Sequence, residues 1–122
     1  YTRGFLLSEG RNASELAHLA FEHGDSARIL LIKGSTDLVV EEGRVTGSVS
    51  TPCPPFMEPI GGTGDLVTGL LTAYALAGEP EREACLAAAQ AARFTGEAAQ
   101  PTPATAIAEL MPFIGEGISR TQ

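Results

Sequence analysis

The sequence predicts an α/β fold that runs helix, buried strand, β-hairpin, glycine nest and three helices. Three observations carry that expectation. A short, wholly apolar run, Ile29-Leu30-Leu31-Ile32, follows a segment whose apolar residues recur at helical spacing. Runs of this kind suit strands covered on both faces, as in a parallel α/β sheet. A glycine-rich stretch, Gly61-Gly62-Thr63-Gly64-Asp65, then opens a long helix-patterned segment, and the chain beyond it is rich in alanine.

Composition sets the outer limits. The chain has 122 residues, 43% of them hydrophobic and 19% charged. That is a globular composition, long enough for one domain with its own core. Eight Lys and Arg stand against fifteen Asp and Glu, a net charge of −7. Such a balance argues against nucleic acid or an anionic membrane surface as the main partner. No apolar run reaches the roughly 20 residues that span a bilayer, and no secretory signal pattern is visible. Cys53 and Cys85 belong to no metal-spaced cluster. Free thiols in a reducing cytoplasm are expected, with a disulfide left open.

Each element has a local reason. Asn12, followed three positions later by Glu15, resembles a capping box. Ala13, Leu16, Ala17, Leu19 and Ala20 form a helical stripe, and Gly24 suits the position after the helix. His18 and His23 share no helix face and read as surface residues. The strand 29–32 ends in Lys33-Gly34-Ser35-Thr36-Asp37. Ligands gather at the carboxyl ends of strands in open α/β sheets, which makes Lys33 either a functional lysine or an ordinary solvated one. The segments 38–40 and 45–49 form a hairpin whose turn contains Gly43. Glu41 and Glu42 are adjacent, so they point to opposite faces and read as turn residues, not an acid pair. Prolines at 52, 54, 55 and 59 make the next stretch a rigid irregular loop. Its apolar members, Phe56 and Met57, either cover a ligand or pack beneath the loop.

The last part is helical. Two apolar faces over 66–77 predict a helix buried on most sides, with Gly69 allowing close packing and Gly78 ending it. Pro80 starts the next helix, over 81–95, with Ala84, Cys85, Ala88, Ala91 and Ala92 inward and Gly96 closing it. Thr102-Pro103 reads as the start of a final helix through Ile107, Leu110 and Met111, and 115–122 as a frayed polar tail.

The glycine stretch carries the chemistry. Three glycines in four positions let backbone approach a ligand closely. The helix behind them offers unpaired N–H groups and the positive end of its dipole, an anion site whose usual guest is a phosphate. Asp65 is the odd member, because a carboxylate repels phosphate. It reads as a catalytic base, as a magnesium-bridged contact, or simply as a helix cap.

The order of apolar strand, Lys33-Gly34 with Thr36 nearby, hairpin, proline loop, Gly61-Gly62-Thr63-Gly64-Asp65 and helices resembles the C-terminal part of the ribokinase-like three-layer fold. Within that superfamily it is most similar to the carbohydrate-kinase-like ADP/ATP-dependent NAD(P)H-hydrate dehydratases. The resemblance covers roughly 13–113. It implies a nucleotide-binding portion in which Gly62, Thr63 and Gly64 form the anion hole. Asp65 would be the catalytic base, and Lys33, Gly34, Ser35, Thr36, Asp37 and Gly64 would border the nucleotide. The implied reaction is repair: ATP or ADP phosphorylates the hydroxyl of a hydrated nicotinamide ring, phosphate leaves, and magnesium offsets the phosphate charge. The family's Thr-Pro-His/Asn stretch has only a weak echo in Leu7-Ser8-Glu9-Gly10. Phe56-Met57-Glu58-Pro59-Ile60 stands where the family carries an Asn-Pro-Gly-Met pattern. A ribokinase-like small-molecule kinase and a non-catalytic nucleotide-binding module are the alternatives. Whole family members are longer, so a homo-oligomer or a missing N-terminal segment is expected to cover the exposed sheet edge.

Overall fold

The computed structural model describes residues 12–122. Leu7-Ser8-Glu9-Gly10 lie outside the described residues. Where the sequence predicts one domain, the chain divides into two compact units, Tyr1–Ser48 and Val49–Gln122.

In the first unit, α1 (Ala13–Glu22) starts at the predicted cap. The Asn12 side-chain oxygen accepts the Glu15 N–H at 2.8 Å and so satisfies one of the helix's orphan donors. The helix stops at Gly24, whose φ of +75° lets the Asp25 N–H reach back to the Ala20 carbonyl. His18 and His23 are both exposed. Three strands follow, β1 (Ile29–Ile32), β2 (Asp37–Glu41) and β3 (Arg44–Val49), in the spatial order β1-β2-β3.

The sheet corrects one expectation. β1 runs antiparallel to β2, with Ile29 opposite Glu41 and Ile32 opposite Leu38, and its residues are only half-buried. A parallel pair needs a crossover of roughly a dozen residues or more, whereas only positions 33–36 join β1 to β2. Among the described residues β1 is an edge strand, and the deep burial belongs to β2 at Val39 and Val40. The β2–β3 turn is Glu42-Gly43, with φ of 49° and 77°. Two consecutive positive φ values define the turn whose twist matches that of the flanking strands.

The second unit is helical: α2 (Thr63–Leu76), α3 (Glu81–Ala99), single 3-10 turns at Ile107–Glu109 and Met111–Phe113, and α4 (Ile114–Arg120). α3 is the spine against which α2 and α4 pack. Ala84, Cys85, Ala88, Ala91 and Ala92 are buried as predicted, joined by Ala89, Arg93, Thr95 and Gly96. Small side chains let α4 come close: a Cβ on Gly117 would stand 2.6 Å from the Ala91 carbonyl oxygen.

Four helical expectations are corrected. Gly96 does not end α3. The helix runs on to Ala99, and Gln100 takes the left-handed capping conformation. Gly96 is instead the seat of Met57, whose sulfur lies 2.6 Å from where a Cβ would be. Thr102 and Thr105 close a turn on each other, the Thr102 N–H reaching Thr105 Oγ1 at 2.9 Å, so no α-helix starts at Thr102-Pro103. The expected tail, 115–122, lies mostly in α4. Arg120 holds it, paired with Glu97 at 2.6 Å and stacked 4.4 Å above the Phe94 ring. Lastly, α2 buries one side only, through Leu66, Val67 and Leu70, while Leu76 is 84% exposed. Among the described residues, no atom beyond the neighbouring backbone of α2 and the adjacent residues lies within 4 Å of a Cβ built on Gly69.

Candidate functional site

In the second unit the glycine stretch forms the N-terminus of α2. Gly62 is the N-cap at φ +96°, ψ −3°, a left-handed conformation that glycine adopts without strain. A side chain there would also meet Ile107 at 3.2 Å. Among the described residues no side chain caps the helix. Thr63, which might have done so, donates its hydroxyl to the Ile60 carbonyl at 3.3 Å and ties the nest to the preceding loop. A Cβ on Gly61 or Gly64 would have open space around it. The N-terminal amides of α2 are thus left to an approaching group, with the helix dipole favouring an anion.

Asp65 is the third residue of α2, so it is not the cap. Its side chain is exposed, and among the described residues no hydrogen bond or ion pair engages it. Next to the nest an apolar groove of about 470 Å³ runs along α2 past Gly69 and Ala73. Ile107, Met111, Ile114 and Ile118 form its far wall, and Gly62 and Asp65 lie at its mouth. Ile107 and Met111 fall in the expected final helix, Ile118 in the expected tail and Ile114 between the two, so the local pattern does not announce this wall.

The proline loop leading to the nest is anchored from below. The buried Arg93 donates from Nη1 to the carbonyls of Ser50 and Pro52 at 3.1 and 3.0 Å. Both are charge-assisted bonds to backbone carbonyls. Arg93 was also missed in the sequence, although an arginine interrupting an inward-facing alanine stripe is a visible signal. Met57 packs on α3, while Phe56 is 49% exposed at φ 64°.

The other predicted residues lie in the first unit. Lys33, Gly34, Ser35 and Thr36 form the exposed connection from β1 to β2, and Asp37 opens β2. Asp37 is 1% exposed. Its Oδ2 lies 2.7 Å from Lys33 Nζ, and its Oδ1 accepts the Gly34 N–H at 3.0 Å. Gly34, Ser35 and Asp37 are engaged further. Of the residues expected to border a nucleotide, Lys33, Ser35 and Thr36 are open to solvent and Asp37 is not.

Both cysteines are free thiols, Cys53 exposed and Cys85 buried. Among the described residues no group of three or more His, Cys, Asp or Glu is placed to hold a metal ion. Magnesium typically keeps several waters and binds through one or two carboxylates plus substrate phosphates, which the exposed Asp65 beside an anion nest suits. No described helix is long and apolar enough to cross a membrane.

The chain is 29% identical over 94 residues to an uncharacterized protein, MJ1337, of Methanocaldococcus jannaschii. The match covers 77% of this chain and 41% of that protein, so the chain spans less than half the length of its relative. No family model and no solved structure matches.

Proposed function

We propose that this chain is the nucleotide-binding part of a ribokinase-like enzyme that uses ATP or ADP to dehydrate hydrated NAD(P)H. The observation that carries the reading is the uncapped nest: a left-handed Gly62 opening α2, space at Gly61 and Gly64, and an exposed, unengaged Asp65 two residues beyond the first helical position. In that reading the amides of the nest stabilise charge on the transferring phosphoryl group. Asp65 takes the proton of the substrate hydroxyl as its oxygen attacks phosphorus, help commonly worth about 10²–10⁴ in rate. The phosphorylated hydroxyl then leaves with its C–O bond electrons as inorganic phosphate, and the adjacent ring carbon gives up a proton to solvent, its C–H electrons re-forming the nicotinamide double bond. Magnesium, carried on the nucleotide, would offset phosphate charge. A cytoplasmic setting suits the free thiols and the nucleotide chemistry of this reading. The unpaired edge of β1 among the described residues, and the greater length of the relative, support a further segment or a second copy completing the sheet.

The loop Phe56-Met57-Glu58-Pro59-Ile60 favours a second reading, a small-molecule kinase of the same superfamily. Its exposed Phe56 and acidic Glu58 present a different surface from the family's Asn-Pro-Gly-Met pattern and suit another acceptor.

Calorimetric titration with ATP, ADP and AMP, each with magnesium, tests the reading on the wild type and Asp65→Ala. Saturable binding that survives Asp65→Ala, together with hydrated-NADH turnover that does not, is the expected result. Absence of binding by both proteins defeats the nucleotide reading. A phosphorylated product that fails to eliminate selects the kinase.

A further inference from the structure

We propose that Phe56 is a stacking platform: its exposed side chain takes the face of a flat heteroaromatic ring on the ligand. The inference rests on the nucleotide reading above for the phosphate end of that ligand, and on the second unit alone for its ring.

The backbone gives the first observation. Phe56 holds a φ of 64°, a left-handed conformation that is an outlier for a bulky residue. Positions 55 and 56 form a turn. A proline followed by a left-handed residue is the pattern of a type II turn, whose third position normally takes glycine. Among the described residues, the other left-handed positions with side chains have plain local reasons. Glu42 shares a hairpin turn with Gly43, and Gln100 caps α3. Phe56 serves neither purpose, and glycine in its place would adopt the same angle without strain.

Packing does not offset that strain. Phe56 is 49% exposed, and it is the one exposed aromatic among the described residues. Its neighbour Met57 does the packing, with its sulfur 2.6 Å from where a Cβ on Gly96 would be. The loop is also held against relaxing. Pro54 and Pro55 restrict the chain before Phe56, and Arg93 holds the carbonyls of Ser50 and Pro52 at 3.1 and 3.0 Å. Strain kept without a gain in burial is characteristic of active sites and ligand clamps. An exposed aromatic on a fixed backbone offers a large rigid face at low cost in conformational entropy. A flat ring gains most from that face, because stacking adds to the burial of apolar area.

The loop keeps Phe56 near the nest. The Ile60 N–H returns to the Met57 carbonyl at 3.3 Å, and Thr63 donates its hydroxyl to the Ile60 carbonyl at 3.3 Å. Two successive turns thus fold the chain between Phe56 and Gly62, and their Cα atoms stand at most about 18 Å apart. An aromatic side chain and an extended nucleotide together span such a distance, with the ring at the loop and the terminal phosphate at the amides of α2.

The test is calorimetric titration of wild type, Phe56→Leu, Phe56→Gly and Phe56→Trp, with a thermal melt of each. The probes are ATP with magnesium, inorganic tripolyphosphate with magnesium, and reduced nicotinamide mononucleotide. Phe56→Leu keeps apolar bulk and the backbone strain but removes the flat ring, whereas Phe56→Gly removes all three. Both are expected to weaken ATP by about tenfold and to leave tripolyphosphate, which has no ring, unchanged. Phe56→Trp is expected to bind ATP at least as tightly as the wild type. Phe56→Gly is expected to melt no lower than the wild type, because glycine takes the left-handed angle freely. A loss confined to the reduced mononucleotide also supports the platform and assigns it to the acceptor's ring in place of the nucleotide's base. Equal binding of ATP and of the mononucleotide by all four proteins overturns the proposal. So do equal losses of ATP and tripolyphosphate, which mark Phe56 as shaping the nest without touching a ring. A wild type that binds none of the three probes defeats the nucleotide reading first, and this inference with it.

Discussion

Asp37 and Asp65 each follow a short glycine-bearing stretch, and the fold uses them in opposite ways. Asp37 opens a strand, is buried, and has both oxygens occupied by Lys33 and Gly34. Asp65 sits in the first turn of a helix, is exposed, and is engaged by nothing among the described residues. The difference follows from backbone geometry. A tight connection between antiparallel strands folds residue 37 back onto residue 33, so the carboxylate satisfies its own turn. A helix N-terminus fans its amides outward, so the carboxylate and the N–H groups face a shared approach instead of each other. Burial and engagement mark structure in the first case. Exposure without engagement leaves Asp65 open to the role proposed for it in the second.

The sharpest way to break this comparison is to remove each carboxylate and measure stability by urea denaturation. Asp37→Ala leaves a lysine without its counter-charge and a backbone amide without its acceptor. The expected loss is about 3 kcal/mol. Asp65→Ala removes only a favourable helix-dipole contact, worth about 0.5 kcal/mol. Equal losses would mean that Asp65 is a structural residue and that its exposure is misleading.

A second prediction concerns what holds the loop before the nest. Arg93→Met keeps the bulk of the side chain but removes the bonds to Ser50 and Pro52. The expected cost is about 2 kcal/mol. Limited proteolysis should then cut within 51–59 at a protease dose that leaves the wild type intact. Uncut variant protein would show that the prolines alone keep the loop rigid.

A third prediction tests the nest itself. Gly62→Ala places a side chain at φ +96° and against Ile107. A loss of about 1–2 kcal/mol is expected, together with weakened nucleotide binding. A variant as stable as the wild type would imply that the chain enters α2 by another path.

Much of this was legible in the sequence, and the rest failed for identifiable reasons. The Asn12 cap, the Glu42-Gly43 turn and the inward alanines of α3 depend on neighbours a few positions away, so local pattern sufficed. The glycine nest was legible for the same reason. The partner and direction of β1 were not, because an apolar run is compatible with either sheet type. The short connection at 33–36 did contain the answer, since no parallel crossover fits in it. Gly96 was misread as a stop because its partner, Met57, is distant in sequence. The 115–122 segment looked too polar to pack. Its stability comes from Arg120 on Glu97 and Phe94 and from Gly117 nesting on Ala91, contacts that no hydrophobic pattern announces. The buried state of Asp37 was hidden likewise, because a carboxylate in a Lys-Gly-Ser-Thr-Asp turn reads equally as a ligand contact or a brace.

The smallest expected effect on stability separates fold from function most cleanly. Gly64 is the second residue of α2, is exposed, and has open space where a Cβ would go. Alanine is a better helix former than glycine, so Gly64→Ala should raise stability, by about 0.5 kcal/mol. The added methyl group would nonetheless stand in the approach to the uncapped amides. A phosphate drawn to the nest would have to sit farther out, and ATP affinity should fall by about tenfold, a change of about 1.4 kcal/mol. A variant that is more stable and binds nucleotide less well identifies the glycine as kept for a ligand. A variant that is more stable and binds equally well would mean that the open space at the nest serves no phosphate, and the contrast between Asp37 and Asp65 would reduce to one of burial alone.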